Sequence, residues 1–341
     1  IDFLIRKLSF DQIVNALAPL GRVSQVGKAF GVVTGMIDGE EFDFAIPRTG
    51  EEKTGEKHTD FDVTTDPNAP IESDLGRRDF TINALAKDSD GNIIDMFGGQ
   101  EDIQNKTIRA VGDPNERFSE DPLRMMRALQ FAVRFDFDIE PETLAAIRNN
   151  IDKIDTLAAE RVFMEFNKAW TKGSVNSDKL VSLLEETGIG RRLFGDDFDP
   201  QVVGIEGGSE DKINGNFIAF FLNGGDFDPM RPTNDMIKHL DIAIAASRDA
   251  GEVHEYAVDQ REKMPLIANV LGQLGYHQQA EKIMGAIELP LKGSELEIGG
   301  RELMQMGFKG REIGQAQRDV LAAIHRGEIG NTYDEIVGFL Q

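Results

Sequence analysis

The chain has 341 residues, 40% hydrophobic and 28% charged, which supplies a core and excludes wholesale disorder. It has no cysteine, so disulfide frameworks, cysteine zinc sites and thiol nucleophiles are excluded, and a reducing cytosol fits. The 37 basic and 60 acidic residues leave a net charge of −23, which argues against a polyanion partner for the chain as a whole.

At ~150 residues per domain, the length predicts roughly two domains. Residues 3–5 are a short apolar run that predicts a first strand. Ser9 is placed to cap a helix with Ile13, Val14 and Leu17 on one face, ending near Pro19 and Gly21. Residues 32–37 and 41–46 are β-rich and joined by Asp38-Gly39, a strong hairpin signal. Residues 49–60, rich in Gly, Lys and Glu, predict a loop. Residues 61–64 predict a further extended run, and 81–85 and 93–96 flank the turn Asp90-Gly91-Asn92. Strands interleaved with helices predict a small mixed α/β domain ending near residue 110.

From Ser119 the pattern turns helical. Ser119-Glu120-Asp121-Pro122 looks like a helix start, with Leu123, Met126, Leu129 and Val133 supplying the buried face. Further amphipathic stretches begin near Pro141, Ala158, Ser177, Asn234, His254, Gln278 and Arg311, and 195–235 predicts an irregular connection. The longest plain apolar run, 217–222, is too short to span a bilayer, so no membrane partner is expected. Charge is unevenly placed: 105–135 holds six basic and four acidic residues, and 193–260 holds four basic and fourteen acidic. By charge alone, any nucleic-acid surface is expected in the first half or so of the chain.

Three groups of residues can carry chemistry. Asp2 and Asp43 sit on predicted strands, and two carboxylates in one open site hold Mg²⁺ while leaving room for phosphates; an acid on the polar face of a strand looks the same. Arg77-Arg78-Asp79 precedes Asn83, where arginines can clamp a triphosphate and Asp or Asn can bond a ribose hydroxyl; a solvated charged turn reads alike. Asp121, Arg124 and Arg127 recur every third residue on a predicted helix, which also suits an intrahelical salt bridge. The five histidines show no metal-ligand or triad spacing and read as surface residues.

Taken in order, three runs are more specific than any part. They are Arg77-Arg78-Asp79-Phe80-Thr81-Ile82-Asn83-Ala84, Ile94-Asp95-Met96-Phe97-Gly98-Gly99 and Arg117-Phe118-Ser119-Glu120-Asp121-Pro122-Leu123-Arg124-Met125-Met126-Arg127. Their succession resembles class II tRNA nucleotidyltransferases, the CCA-adding enzymes, and the related bacterial poly(A) polymerases. Residues 160–166 resemble the family's next helix and 299–330 its tail. The resemblance implies an α+β protein: a small mixed α/β nucleotidyltransferase palm, or head, over 1–110, then an all-helical neck over 111–175 and an all-helical, tRNA-binding body and tail over 176–341.

The resemblance also implies roles. Asp2 matches the second carboxylate of the family's Asp-x-Asp metal pair. Its partner would precede Ile1, and a Gly-Gly-x-x-Arg-Asp loop would lie further upstream. Asp2 and Asp43 would hold catalytic Mg²⁺. Arg78, Asp79, Asn83 and Arg127 would bind the nucleotide, with Gln130 standing where the family usually has a third arginine. Asp121 and Arg124, fixed by Glu120, would read the base. The implied reaction adds C, C and A to tRNA 3′ ends from CTP and ATP. Alternatives are a poly(A) polymerase, a CC-only or A-only enzyme, or a catalytically inactive RNA- or nucleotide-binding protein. No His-Asp pair is present, so the phosphohydrolase activity of the long bacterial branch is not predicted.

Overall fold

A computed structural model describes residues 2–53, 61–172, 177–201, 203–206, 208–248, 261–290 and 292–341. The chain divides into two compact units, 1–158 and 159–341.

The first unit opens on β1 (Asp2–Leu4). Ser9 caps α1 (Phe10–Leu17) as predicted: its hydroxyl accepts from the Gln12 amide, and the Gln12 side chain accepts from the Ser9 amide. β2 (Arg22–Ser24), β3 (Val32–Ile37) and β4 (Glu40–Ala45) complete a four-stranded sheet in the order β1-β4-β3-β2. β1 pairs with β4 in parallel, and the other pairs are antiparallel. Asp38 (φ 51°) and Gly39 (φ 83°) both take the left-handed conformation that a tight two-residue hairpin turn requires. Ile13 and Leu17 of α1 are buried with Val33, Phe44 and Ile46, so α1 covers one face of the sheet.

Two expectations change here. β2 is too short for a visible alternation, and its presence makes the strand of Asp43 the fourth rather than the third. The loop expected over 49–60 is in part a strand: β5 (Arg48–Lys53) pairs with β6 (Phe61–Thr65). Cross-strand hydrogen bonds hold this ribbon, and they leave no trace in composition. Residues 54–60 lie outside the described residues.

Next come α2 (Ile71–Leu75), the antiparallel pair β7 (Leu85–Lys87) and β8 (Ile93–Asp95), and α3 (Gly99–Gln104). A Cβ on Gly99 would stand 2.2 Å from the Thr81 carbonyl, so only glycine lets α3 lie flush against the turn at 81–83. β9 (Thr107–Ile108) pairs in parallel with β10 (Asp138–Ile139), the one strand past residue 110 among the described residues.

The helix expected to start at Ser119 is in fact two. α4 (Pro114–Glu120) is capped by Asp113, and α5 (Leu123–Phe135) follows Pro122. Ser119 is inside α4 and donates back to the Asn115 carbonyl. Proline lacks the N–H to continue α4, which ends there, and its fixed φ suits the start of α5. α5 is buried on most sides, and Arg124 and Arg127 lie on its half-exposed edge. α6 (Pro141–Asn149) completes the layer.

Every regular element among the described residues of the second unit is a helix. An aromatic cluster joins Phe166 and Trp170 of the helix Ala159–Thr171 to Phe194, Phe220 and Phe221. The irregular connection expected over 195–235 contains a helix, Ser209–Phe221, whose last eight residues are all buried. A helix buried on every side has no amphipathic period to read. Two further aliphatic cores lie toward the C-terminus. His239 is buried at 3% exposure on the helix Asn234–Arg248, which corrects its surface reading; His325 is half-buried and meets the Pro290 carbonyl. His58, and the stretch expected from His254, lie outside the described residues up to 260. No described helix is long and apolar enough to cross a membrane.

Candidate active site

The sheet brings two carboxylates together. Asp2 is the register partner of Asp43 across the parallel β1–β4 pair, and Thr34 is its partner across β3–β4. Register partners share a face, and neighbouring strands lie about 4.8 Å apart. Asp2, Asp43 and Thr34 therefore form one polar row, while Val33 and Phe44 alternate into the core beneath α1. Thr34 Oγ1 donates to Asp43 Oδ1 at 2.7 Å and fixes that carboxylate. Two hard oxygen donors suit a divalent cation that keeps water and phosphate oxygens for the rest of its shell. No group of three or more His, Asp or Glu is gathered for a metal among the described residues.

A second cluster surrounds Asp79. Its Oδ1 accepts from the Phe80 amide at 2.8 Å and from Asn83 Nδ2 at 3.1 Å. Its Oδ2 accepts from Arg127 Nε at 2.8 Å and Nη2 at 2.6 Å. The Arg127 guanidinium also lies over the Phe131 ring, 5.0 Å from its centre. Asp79, Asn83 and Arg127 are thus one hydrogen-bonded set. Arg78 stands apart from it and donates to Asp74 of α2 at 3.2 Å. Gln130, one turn beyond Arg127, is buried at 2% exposure, and its Nε2 has no partner among the described residues.

The third cluster lies where α4 meets α5. Asp121 is not in the first turn of a helix with Arg124, as expected. It sits in the link with extended backbone, and its Oδ1 accepts from the Leu123 amide at 3.1 Å; because Pro122 already has helical dihedrals, Asp121 holds the cap position ahead of α5. Arg124 Nη1 donates to Glu120 Oε2 at 2.8 Å and to the Arg117 carbonyl at 3.2 Å. Its Nη2 donates to the Arg77 carbonyl at 3.0 Å. Arg117 Nη2 takes the other oxygen of Glu120 at 2.6 Å.

A ladder behind these clusters holds the Asp79 segment. The Val111 amide donates to the Asp79 carbonyl, and the Thr81 amide to the Arg109 carbonyl. Thr81 Oγ1 donates to Asp102 Oδ2 at 2.6 Å, and Arg109 Nε spans both oxygens of Asp102. Arg109 also faces Glu140 at 3.5 Å. Its hydrogen bond to Asp102 raises the Arg109 pKa against the cost of burial. Burial pushes the Glu140 carboxyl up, but the Thr143 and Glu142 amides, the Thr143 hydroxyl and Arg109 outweigh it and hold it below its ordinary value.

That depressed value has a consequence for stability. The contribution of ionised Glu140 is complete above the ordinary glutamate range of about 4.3 and is lost as the pH falls through the lowered folded value. Glu140 also caps α6. Glu140→Ala should therefore cost about 1 kcal/mol at neutral pH. Urea melts over a neutral-to-acid series should show the gap to wild type narrowing with acid. A gap independent of pH would contradict this role.

Arg117, Thr34 and Asp74 were not singled out as site residues from sequence. Arg117 stands three residues before Glu120, an ion-pair spacing that was available as a signal.

Residues 3–109 match the family described as the poly A polymerase head domain. Residues 136–201 match that described as the probable RNA- and SrmB-binding site of polymerase A. The CCA-adding enzyme of Levilactobacillus brevis is 33% identical over 293 residues, 78% of this chain and 72% of that protein. That of Enterococcus faecalis is 46% identical over 147 residues, 43% of this chain and 36% of that protein. Among solved structures, the Bacillus stearothermophilus CCA-adding enzyme in complex with CTP matches with a TM-score of 0.69 at 22% identity, covering 98% of this chain and 86% of that one. The Thermotoga maritima CCA-adding enzyme complexed with tRNA matches at 0.66 and 19% identity, covering 100% and 87%. These two likenesses are of fold.

Proposed function

The chain belongs to the CCA-adding enzyme family, and on that premise we propose that it is an RNA nucleotidyltransferase that adds CCA to tRNA 3′ ends. It takes CTP and ATP, uses no nucleic-acid template and releases pyrophosphate. The observation that carries this reading is kinship with a CCA-adding enzyme over most of both chains. We assign 1–110 to the nucleotidyltransferase head, 111–175 to the neck, and 176–341 to a tRNA-binding body and tail. The cytoplasm, where tRNA and nucleotides meet, is the proposed place of action.

The family depends on a divalent metal, and we propose Mg²⁺, held by Asp2 and Asp43. When bound, the cation lowers the pKa of the attacking hydroxyl and neutralises charge at the α-phosphate. The paired carboxylates on the open row support this assignment by their donor chemistry. Asp43 is kept in place by Thr34, so its geometry does not depend on the ion.

Asp79 and Asn83 are proposed to meet the ribose, and Arg78 and Arg127 the phosphates, with Gln130 adjoining them. The Asp79–Arg127 bond supports a preorganised site, because the guanidinium is oriented before any nucleotide arrives. A charge-assisted bond is worth about 1.5–3 kcal/mol, which converts to roughly ten- to a hundredfold in rate or affinity. Arg127→Ala and Arg78→Ala should each raise the nucleotide KM or lower kcat by that factor with both CTP and ATP. Unchanged kinetics with both nucleotides would remove the arginine from the clamp.

The test of the activity is product length on a tRNA lacking its CCA. CTP alone should add two residues, and both nucleotides should give CCA and then stop. A long A ladder would mean a poly(A) polymerase, and addition of only CC or only A a partial enzyme. Nucleotide binding without any incorporation would mean an inactive binding protein.

A further inference from the structure

The Glu120–Arg124 pair is held from a side that the reaction itself does not explain. Arg117 Nη2 donates to Glu120 Oε1 at 2.6 Å, and its Nη1 donates to the Gly76 carbonyl at 3.3 Å. Arg124 uses the other oxygen of Glu120 and reaches the next carbonyl along, that of Arg77, at 3.0 Å. The contacts close into a ring: Gly76 carbonyl, Arg117, Glu120, Arg124, Arg77 carbonyl, and back through one peptide unit. Two arginines on α4 and α5 thereby grip consecutive carbonyls more than forty residues earlier in the chain. Residues 78 and 79 follow directly, so the ring ties the link between α4 and α5 to the segment bearing Arg78 and Asp79.

We infer that Arg117 is a positioning residue for base selection. The inference rests on the reading of Asp121 and Arg124 as the base-reading pair, and it adds the group that keeps that pair in register with the phosphate-binding segment. A lone carboxylate on a half-exposed glutamate swings about its own torsions. With both oxygens taken by separate guanidiniums, Glu120 has one orientation, and so does the Arg124 head it holds. Arg124 spends three N–H groups on this frame. A guanidinium has five, so two are left to meet a base edge in a fixed direction. The Gly76 carbonyl ends α2 and has no onward helical partner, so it is a natural acceptor for Arg117.

The competing account is a stabilising ion pair between residues three apart. Three features stand against it. Arg117 is mostly buried, at 15% side-chain exposure. Its Nε is buried without a partner among the described residues, which is costly for a residue serving stability alone. Its second contact spans 41 residues, to the end of α2, and is no part of an ion pair within α4.

The two accounts differ in what a variant does to selectivity. Arg117→Met keeps the apolar stem and removes the donors. Arg117→Lys keeps the charge and its donors on one nitrogen, which cannot reproduce the rigid two-nitrogen fork between Glu120 and the Gly76 carbonyl. The measurement is kcat/KM for CTP, UTP, ATP and GTP on the full chain, with melting temperature followed in parallel and Arg124→Met as the reference. A small misplacement of a reacting or reading group costs up to about a hundredfold. Arg117→Met should therefore lower the CTP-to-UTP and ATP-to-GTP ratios by about ten- to a hundredfold, with Arg117→Lys between it and wild type. Equal losses for all four nucleotides, with the ratios intact and the melting temperature lowered, would make Arg117 merely structural and overturn the proposal. If Arg124→Met relaxes the ratios and neither Arg117 variant does, Arg117 is not the positioning group. If Arg124→Met also leaves them intact, the base-reading assignment itself fails and the proposal falls with it. Should Arg117→Met not fold, the same ratios are read from Arg117→Lys, and an unchanged pair of ratios there is equally decisive against it.

Discussion

Asp2→Ala is expected to lower nucleotide incorporation by about a thousandfold while leaving tRNA binding in place. A catalytic metal contributes several kcal/mol to stabilising transition-state charge, and each 1.36 kcal/mol is tenfold in rate. The parallel register brings Asp2 and Asp43 to one row on neighbouring strands. Asp2→Asn should do nearly the same damage, because shape without charge is a poor hard-cation ligand. Asp43 has a competing role, since an acid on a polar strand face that accepts from Thr34 is also a plain structural hydrogen bond. Asp43→Asn separates the two. As a ligand it should raise the Mg²⁺ concentration needed for half-maximal rate; as a strand acid it should lower the melting temperature and leave the metal dependence alone. Single-turnover incorporation with tRNA filter binding alongside gives both readouts. Full turnover in Asp2→Ala would sink the metal assignment.

Much of this row was legible before the fold was known. A two-residue turn at Asp38-Gly39 sets Ile37 opposite Glu40, and counting outward puts Thr34 opposite Asp43. The Asp2–Asp43 match was not readable in that way. It is a parallel pairing across a crossover of α1, β2 and β3, and no local rule sets its register. The Asp79 cluster shows the same divide. Asn83 lies four residues from Asp79 and is a local partner, whereas Arg127 is 48 residues away. Only the fold reveals that Asp79 spends one oxygen on each. The split of α4 from α5 was hidden because Ser119-Glu120-Asp121-Pro122 carries the chemistry of a helix start while α4 is already running from Pro114. In the second unit the helix Ser209–Phe221 is masked by the burial of its last eight residues, since a helix segment buried on every side shows no amphipathic period.

The relocation of Asp121 sharpens the second large effect, which is on the choice of base. A carboxylate only accepts and a guanidinium only donates. Cytosine offers an amino donor beside the N3 acceptor, and adenine an amino donor beside N1; uracil and guanine present the reverse at both positions. A fixed acceptor and donor side by side therefore suit C and A and oppose U and G. We propose Asp121 in the link and Arg124 in the first turn of α5 as that combination, with the Asp121 carboxylate held by the Leu123 amide and Arg124 by Glu120. Each mispaired buried polar group costs about 1–3 kcal/mol, so wild type should prefer CTP over UTP by at least about tenfold. Asp121→Ala has two separable consequences. Losing the cap on α5 should cost about 1 kcal/mol of stability, whatever the residue does in the reaction. Losing the acceptor should collapse the CTP-to-UTP and ATP-to-GTP ratios toward one. Asp121→Asn decides between them. It still offers an oxygen to the Leu123 amide, so the cap survives, but its amide can also turn a donor toward the base. Stability should then stay near wild type while uracil and guanine gain, and kcat/KM for all four nucleotides is the measurement. If Asp121→Asn, Asp121→Ala and Arg124→Ala all kept the wild-type ratios, even at reduced rate, the residues would be a helix cap and a frame for the loop at Arg77, and the base would be read elsewhere.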